Sequence, residues 1–195
     1  MKNIFIISAH HPYPFSEGRL NAALIEKAQA LLTARGCTTK LTKTYGQYDI
    51  DQEVANHQWA DCVLIQTPLN WMGVPWSFKK YMDEVYTAGM DGRLCNGDGR
   101  TSLAPQSNYG MGGALQNTHY MLSITLNAPK QAFSNIAEPF FAGSSLDQLL
   151  LPLHLNARFF GMKPLKTFAA FDVIKNPQIE ADFHRFEAHI NALFP

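Results

Sequence analysis

The sequence predicts an α/β fold, a doubly wound five-stranded parallel sheet with helices on both faces, and three observations predict it. Short β-branched runs alternate with segments whose apolar residues recur at three-and-four spacing, the pattern of repeated βα units with right-handed crossovers. The runs are apolar continuously rather than at every second residue, so both faces of each strand are to be covered. A chain of 195 residues with 46% hydrophobic content matches one core, and residues 1–195 read as a single domain.

The elements follow in order. Asn3 to Ala9 is an apolar run suited to a central strand. After Pro12 and Pro14, a helix opens near Ser16 to Asn21, carries Leu20, Ala23, Leu24, Ala28 and Leu31 on one stripe, and ends at Arg35-Gly36. Thr38 to Tyr45, with alternating Lys and Thr, is expected as a charge-protected edge strand. Asp51 to Ala60 is a short helix or turn, and Cys62 to Thr67 is a second buried strand closed by Pro68. Pro75 then suits the first turn of a helix to about Tyr86, where its missing N–H is not needed.

From Thr87 to about Thr118 the chain holds seven glycines and one proline without periodicity, so the segment is expected to be a functional loop or a small hairpin excursion. Tyr120 to Leu126 is a third buried strand; Leu146 to Phe160 is a helix interrupted or restarted at Pro152; Lys166 to Val173 is the last strand; and Asn176-Pro177 precedes a helix through Phe194.

Composition excludes several functions. Sixteen basic and sixteen acidic residues leave no excess charge for neutralising phosphates, which argues against a nucleic-acid binder. Three widely spaced cysteines, Cys37, Cys62 and Cys95, form no CxxC pair, so neither disulfides nor zinc are expected, and reduced thiols in a cytoplasmic protein are. The apolar run at the N-terminus reaches His10 too soon for a secretory leader, and no stretch of eighteen apolar residues offers a membrane span. Aromatic residues make up 12% of the chain, a surplus that calls for burial, a partner or a flat ligand.

Ligands of open parallel sheets bind at the carboxyl ends of the strands, beside the reversal in strand order. Three loops meet that description. The first, Ser8 to Asn21, lacks both GxGxxG and GxxxxGK. It places Ser16, Gly18 and Asn21 at a helix start, where free N–H groups and the dipole favour a phosphate; the competing reading makes Ser16 an ordinary cap. His10 and His11 lack a nearby carboxylate at ligand spacing, so a pocket-lining role is expected for one of them rather than a metal site. The second loop, Pro68 to Trp76, offers Trp71 and backbone amides around Gly73 to a planar polar ligand, while Trp76 is expected to pack on a neighbouring helix. The third is Thr125 to Pro129.

The motifs Ser8-Ala9-His10, Ser16-x-Gly18-x-Leu20-Asn21, Pro68-Leu69-x-Trp71-Met72-Gly73-Val74-Pro75-Trp76-x-x-Lys79-Lys80-Tyr81-x-Asp83-x-Val85 and Thr125-x-Asn127-Ala128-Pro129 resemble those of the flavodoxin-like NAD(P)H:quinone oxidoreductases. Together with Asp98-Gly99-Arg100 and Leu151-Pro152-Leu153-His154 to Phe160-Gly161-Met162, they resemble the bacterial branch called modulator of drug activity B. The resemblance implies non-covalent FAD, rather than FMN, with Ser16, Glu17, Gly18, Arg19, Leu20, Asn21, Ala22 and Ala23 around the pyrophosphate. It places Leu69, Asn70, Trp71 and Met72 against the ring, with Tyr109, Thr125, Leu126, Asn127 and Ala128 completing the site. Asn70 and Leu126 stand where that branch usually has tryptophan, and Glu17 where it has a smaller polar residue; an acid beside phosphates is expected to point outward.

What the resemblance implies further is two-electron reduction of quinones by NAD(P)H in a ping-pong cycle, with His10, His11 and Tyr109 as candidate proton donors. A homodimer is implied as well, with Phe133, Phe140 and Phe141 toward the second subunit. The rival readings are an FMN-dependent azo- or nitroreductase and a flavodoxin-type electron carrier; the neutral charge balance weighs against a carrier that docks by charge.

Overall fold

The computed structural model describes residues 1–195. Five segments build a parallel sheet: β1 (Asn3–Ser8), β2 (Thr38–Lys43), β3 (Cys62–Pro68), β4 (His119–Thr125) and a fifth edge made of two pieces, β5 (Lys163–Pro164) and β6 (Phe168–Ala170). Their order is β2-β1-β3-β4-β5, with β6 also on β4. Strand order therefore reverses between β1 and β3, where Ile4 pairs with Cys62 and Ser8 with Gln66.

The sheet is covered on both faces, as the uninterrupted apolar runs require. On one face Ile4, Ile6, Leu64 and Met121 meet α1 (Arg19–Ala34) and α6 (Ile179–Leu193) through Leu24, Ala28, Phe186 and Ile190. On the other, Phe5, Ile7, Val63, Leu122 and Ile124 meet α2 (Ile50–Trp59), α3 (Trp76–Tyr81) and α5 (Leu151–Phe159). β2 lies at the edge with no fully buried residue, in keeping with its lysines.

Two expected elements differ. The last strand, expected over Lys166 to Val173, is broken. Pairing with β4 lapses after Leu165, whose N–H donates to the Tyr120 carbonyl, and resumes only at Phe168, and Asp172 takes a left-handed φ of 52° that turns the chain. The helix expected over Leu146 to Phe160 is split into α4 (Leu146–Leu149) and α5. Pro152 sits in the first turn of α5, where it needs no donor but cannot continue α4; Ser145 and Gln148 close a capping box at the other end of α4. The helix begun by α3 widens into a π turn over Met82–Tyr86.

The glycine-rich segment between this turn and β4 is a folded excursion pinned by buried Leu94, Cys95 and Leu115. Cys95 bridges to Gly113, whose absent side chain lets the loop lie against the backbone at Phe160: a Cβ there would be 2.1 Å from the Phe160 carbonyl carbon.

Candidate functional site

At the carboxyl ends of β1, β3 and β4, beside the strand-order reversal, the first, second and third loops enclose a cleft of about 710 Å³. Ser16, Glu17, Gly18, Arg19, Leu20, Asn21 and Ala23 line one side, and Leu69, Asn70, Thr125, Leu126 and Asn127 the other.

The start of α1 governs the chemistry of this cleft. Its N-cap is Gly18, in the left-handed region at φ 82°, and no side chain caps it. Ser16 is therefore not the cap: its backbone N–H and C=O exchange bonds with Tyr13. The first helical bond runs from Ala22 N–H to Gly18 O, so the N–H groups of Arg19, Leu20 and Asn21 have no protein acceptor. Three such donors at the positive end of a sixteen-residue helix favour an anion. Glu17, the one acid nearby, is exposed and faces Arg19 at 3.5 Å.

Gly18 is demanded twice over, by its φ and by its neighbour, since a Cβ would lie 2.2 Å from Cε1 of His10. His10 is 6% exposed beneath the turn, with Nε2 3.2 Å from the Ser16 carbonyl, to which the ring N–H donates. Burial lowers its pKa, the bond to Ser16 partly opposes this, and adjacent His11 lowers it further. His10 thus supports the loop from below and does not line the cleft. His11 stands outside it too, its ring 4.7 Å from that of Trp76 and 4.9 Å from that of Tyr13. Trp76, expected to pack on a helix, is half-exposed against His11 instead.

Under the first turn of α1, Asn21 ties three elements together. Its Oδ1 accepts from Gln66 Nε2 at 2.9 Å and from Thr125 Oγ1 at 3.2 Å. Gln66 and Ser123, opposite each other across β3 and β4, keep Oε1 and Oγ buried without a partner, a polar floor below the free N–H groups.

Beside the cleft, a mostly apolar pocket of about 310 Å³ shares Leu69, Leu126 and Asn127 with it and adds Trp71, Met72, Ala128 and two residues not anticipated from sequence, Phe141 and Leu149. Trp71 and Met72 occupy the corner of a tight turn closed by reciprocal backbone bonds between Asn70 and Gly73 at 2.9 and 3.0 Å. Both corner residues have positive φ, 52° and 64°, the mirror-image turn normally made by Asn-Gly. This strained corner holds the Trp71 side chain 97% exposed.

Not every candidate joins the group. Ala22 faces away from the cleft on the exposed side of α1. Tyr109 is 71% exposed in a separate depression of about 300 Å³ near Lys79 and Asn156, its ring 6.1 Å from that of Phe159 and 5.5 Å from the Arg100 guanidinium. Of the phenylalanines expected at a subunit surface, Phe140 is exposed, but Phe133 is buried in the core and stacks on Phe141 at 4.3 Å. Sequence reading also missed Phe15, Ile174, Ile179 and Phe183 in the cleft wall, because the latter three come from the far C-terminal segment. For Ile179 and Phe183 the only local signal was the apolar stripe of the last helix.

Comparison with known proteins places this geometry. The family with the flavodoxin-like fold matches residues 2–193. The NADPH:quinone oxidoreductase of Haemophilus influenzae is 40% identical over 192 residues, 98% of this chain and 99% of that one. Among solved structures, a Klebsiella pneumoniae protein proposed to be a quinone reductase superposes with a TM-score of 0.77 at 22% identity, covering 99% of this chain and 85% of the other. The general stress protein 14 of Treponema denticola, solved in complex with FMN, superposes at 0.64 and 17% identity, with 99% of each chain covered. At those identities the two structures speak for the fold. The family match over nearly the whole length, with the 40%-identical relative, shows that this chain belongs to the flavodoxin-like fold family.

Proposed function

We propose that the chain is a flavin-dependent NAD(P)H:quinone oxidoreductase that holds FAD non-covalently in the cleft and passes two electrons to a quinone in a ping-pong cycle. The observation that carries the reading is the uncapped start of α1, with three free N–H groups facing a cleft beside an apolar pocket. The Haemophilus influenzae relative supports it by its activity.

The residues fit a flavin dinucleotide. In this reading the N–H groups of Arg19, Leu20 and Asn21 and the α1 dipole bind the pyrophosphate, and the missing side chain of Gly18 leaves room for its approach. Leu69, Leu126 and Ala128 exclude water from the ring, Asn70 and Asn127 offer amides to its polar rim, and Trp71 and Met72 form a wall beside it. The bound flavin supplies hydride acceptance and donation. Nicotinamide and quinone use the same apolar space in turn, which is why the cycle is ping-pong.

His10 positions the loop. His11 and Tyr109, both outside the cleft of their own chain, are proton-donor candidates in this reading through a homodimer. A homodimer belongs to the same proposal, supported by the exposed apolar side chains of Trp71, Leu103, Tyr109 and Phe140. A cytoplasmic location belongs to it as well; no helix is long and apolar enough to cross a membrane.

The test is release of the cofactor by heating purified protein, followed by chromatography and NADPH oxidation with menadione. FAD and parallel double-reciprocal lines are expected. FMN would transfer the assignment to the azoreductase-like alternative, and intersecting lines would remove the shared-site cycle.

A further inference from the structure

A cavity of about 640 Å³ lies at the opposite end of the sheet, between α4, α5 and the edge strand β5. Tyr120, near the start of β4, lines it, whereas Thr125 at the end of β4 lines the cleft. Five residues of strand separate the two by roughly 16 Å. Nothing in the flavin reading uses this cavity.

A hydrogen-bonded chain forms one wall. The Tyr120 hydroxyl is 2.8 Å from Nδ1 of His154, whose Nε2 is 3.4 Å from Asp147 Oδ1; Thr167 donates to the same oxygen at 2.8 Å. A carboxylate only accepts, so the neutral ring carries its proton on Nε2, and Tyr120 donates to Nδ1. Burial, with the Asp147 charge adding and the Arg158 charge opposing, pushes the Tyr120 pKa up to about 12, so the hydroxyl keeps its proton.

The other walls combine apolar surface with unused positive charge. Leu151 and Leu155 project half-exposed from successive turns of α5, and Met162 and Pro164 face them across the cavity. Arg158, one turn further along α5, is the only one of the six arginines with no carboxylate, carbonyl, amide or aromatic partner; Arg19, Arg35, Arg93, Arg100 and Arg185 all have one. Lys163 opposite it pairs with no acid either. Two free cations outweigh the single acid, Asp147, which is occupied by Thr167 and His154.

We infer that this cavity is a second ligand site, separate from the cleft, that takes a small apolar carboxylate. The carboxylate would be held by the planar fork of Arg158 with Lys163 beside it, and the apolar body by Leu151, Leu155 and Met162. Charge complementarity favours an acid over a neutral hydrophobe: Arg158 and Lys163 stand exposed at the rim with no acid paired to either, so a carboxylate gains two contacts there that a neutral ligand does not. His154, fixed from both sides, stands next to the bound group and reports on it.

The probe is benzoate, titrated into the holoprotein labelled with ¹⁵N-histidine, the His154 signals being assigned with His154→Gln. A saturable shift of His154 is expected, unaffected by excess FAD. Arg158→Gln, or replacement of benzoate by neutral benzamide, should raise the dissociation constant about tenfold or more, the scale of one charge-assisted bidentate contact. Lys163→Gln is the second variant should Arg158→Gln lower the melting temperature. The inference is overturned by any of three results: no saturable His154 shift, equal binding of benzamide, or loss of the benzoate signal when FAD is added, which would put the probe in the cleft.

Discussion

Replacing Gly18 by alanine tests the site at its most constrained point. A left-handed backbone costs an L-residue about 1–2 kcal/mol, and φ here is 82°. The new Cβ would also fall 2.2, 2.4 and 2.5 Å from three atoms of the His10 ring. That ring is buried and cannot swing into solvent, so its 3.2 Å contact with the Ser16 carbonyl is lost, for about 1 kcal/mol more. The sum, about 2–3 kcal/mol, lowers the melting temperature of a chain this size by roughly 4–12 °C. Urea unfolding of the apoprotein measures the stability change, and flavin fluorescence measures retention, which should fall at least as sharply because the free N–H groups of Arg19 to Asn21 move with the turn. The same substitution in a His10→Ala background separates the two contributions: only the backbone part, about 1–2 kcal/mol, should remain. An equal cost in both backgrounds refutes the steric argument, and unchanged flavin affinity refutes the assignment of the α1 turn to the pyrophosphate.

Asn21→Ala should destabilise by about 2–4 kcal/mol in urea, because it strips the acceptor from both Gln66 and Thr125 in a buried setting; a loss under 1 kcal/mol would show that neither bond matters. Met72→Gly relieves a positive φ of 64° and should raise stability by about 1 kcal/mol while loosening the Trp71 corner and flavin retention, so a gain in both would contradict the strained-turn reading. His57 is fully buried against Phe5, Tyr81 and Tyr86, and burial lowers its pKa to about 4 despite its bond to the Glu53 carbonyl. Its folded pKa lies below the unfolded value near 6.5, so the unfolded chain binds the extra proton. The stability present above pH 6.5 is therefore lost as pH falls toward 4, by about 3 kcal/mol. His57→Leu should flatten that part of the urea-derived pH profile, and an unchanged slope would assign it to other groups.

Much of the fold was legible because it rests on local patterns. The runs from Asn3, Cys62 and Tyr120 are apolar at consecutive residues, and only a strand covered on both faces uses such a run; the Lys-Thr alternation of Thr38 to Lys43 marked the edge. The fifth strand was harder. Lys166 to Val173 has the composition of one continuous strand, but pairing with β4 lapses between Leu165 and Phe168 and the left-handed Asp172 ends it early. On sequence Ser16 was open to a capping role, and the closed turn it forms with Tyr13, with Gly18 at the helix start, is what excludes it.

At the site, composition and strand ends pointed to the three loops, and the cleft they form contains most of the named residues. What could not be read locally depends on partners far along the chain. Asn21 is defined by Gln66 and Thr125, 45 and 104 positions away, and the cleft wall by Ile179 and Phe183 on the last helix. Tyr109 sits in a loop whose path follows from glycines that let backbone lie on backbone, so its distance from the cleft was invisible in its neighbours. By itself the sequence determined the sheet, its order of elements and the strand ends where a ligand belongs, since periodicity and turn chemistry act within a few residues. The tertiary structure alone decided which of those side chains share a cavity and which buried groups brace it, because packing joins residues by distance in space rather than along the chain.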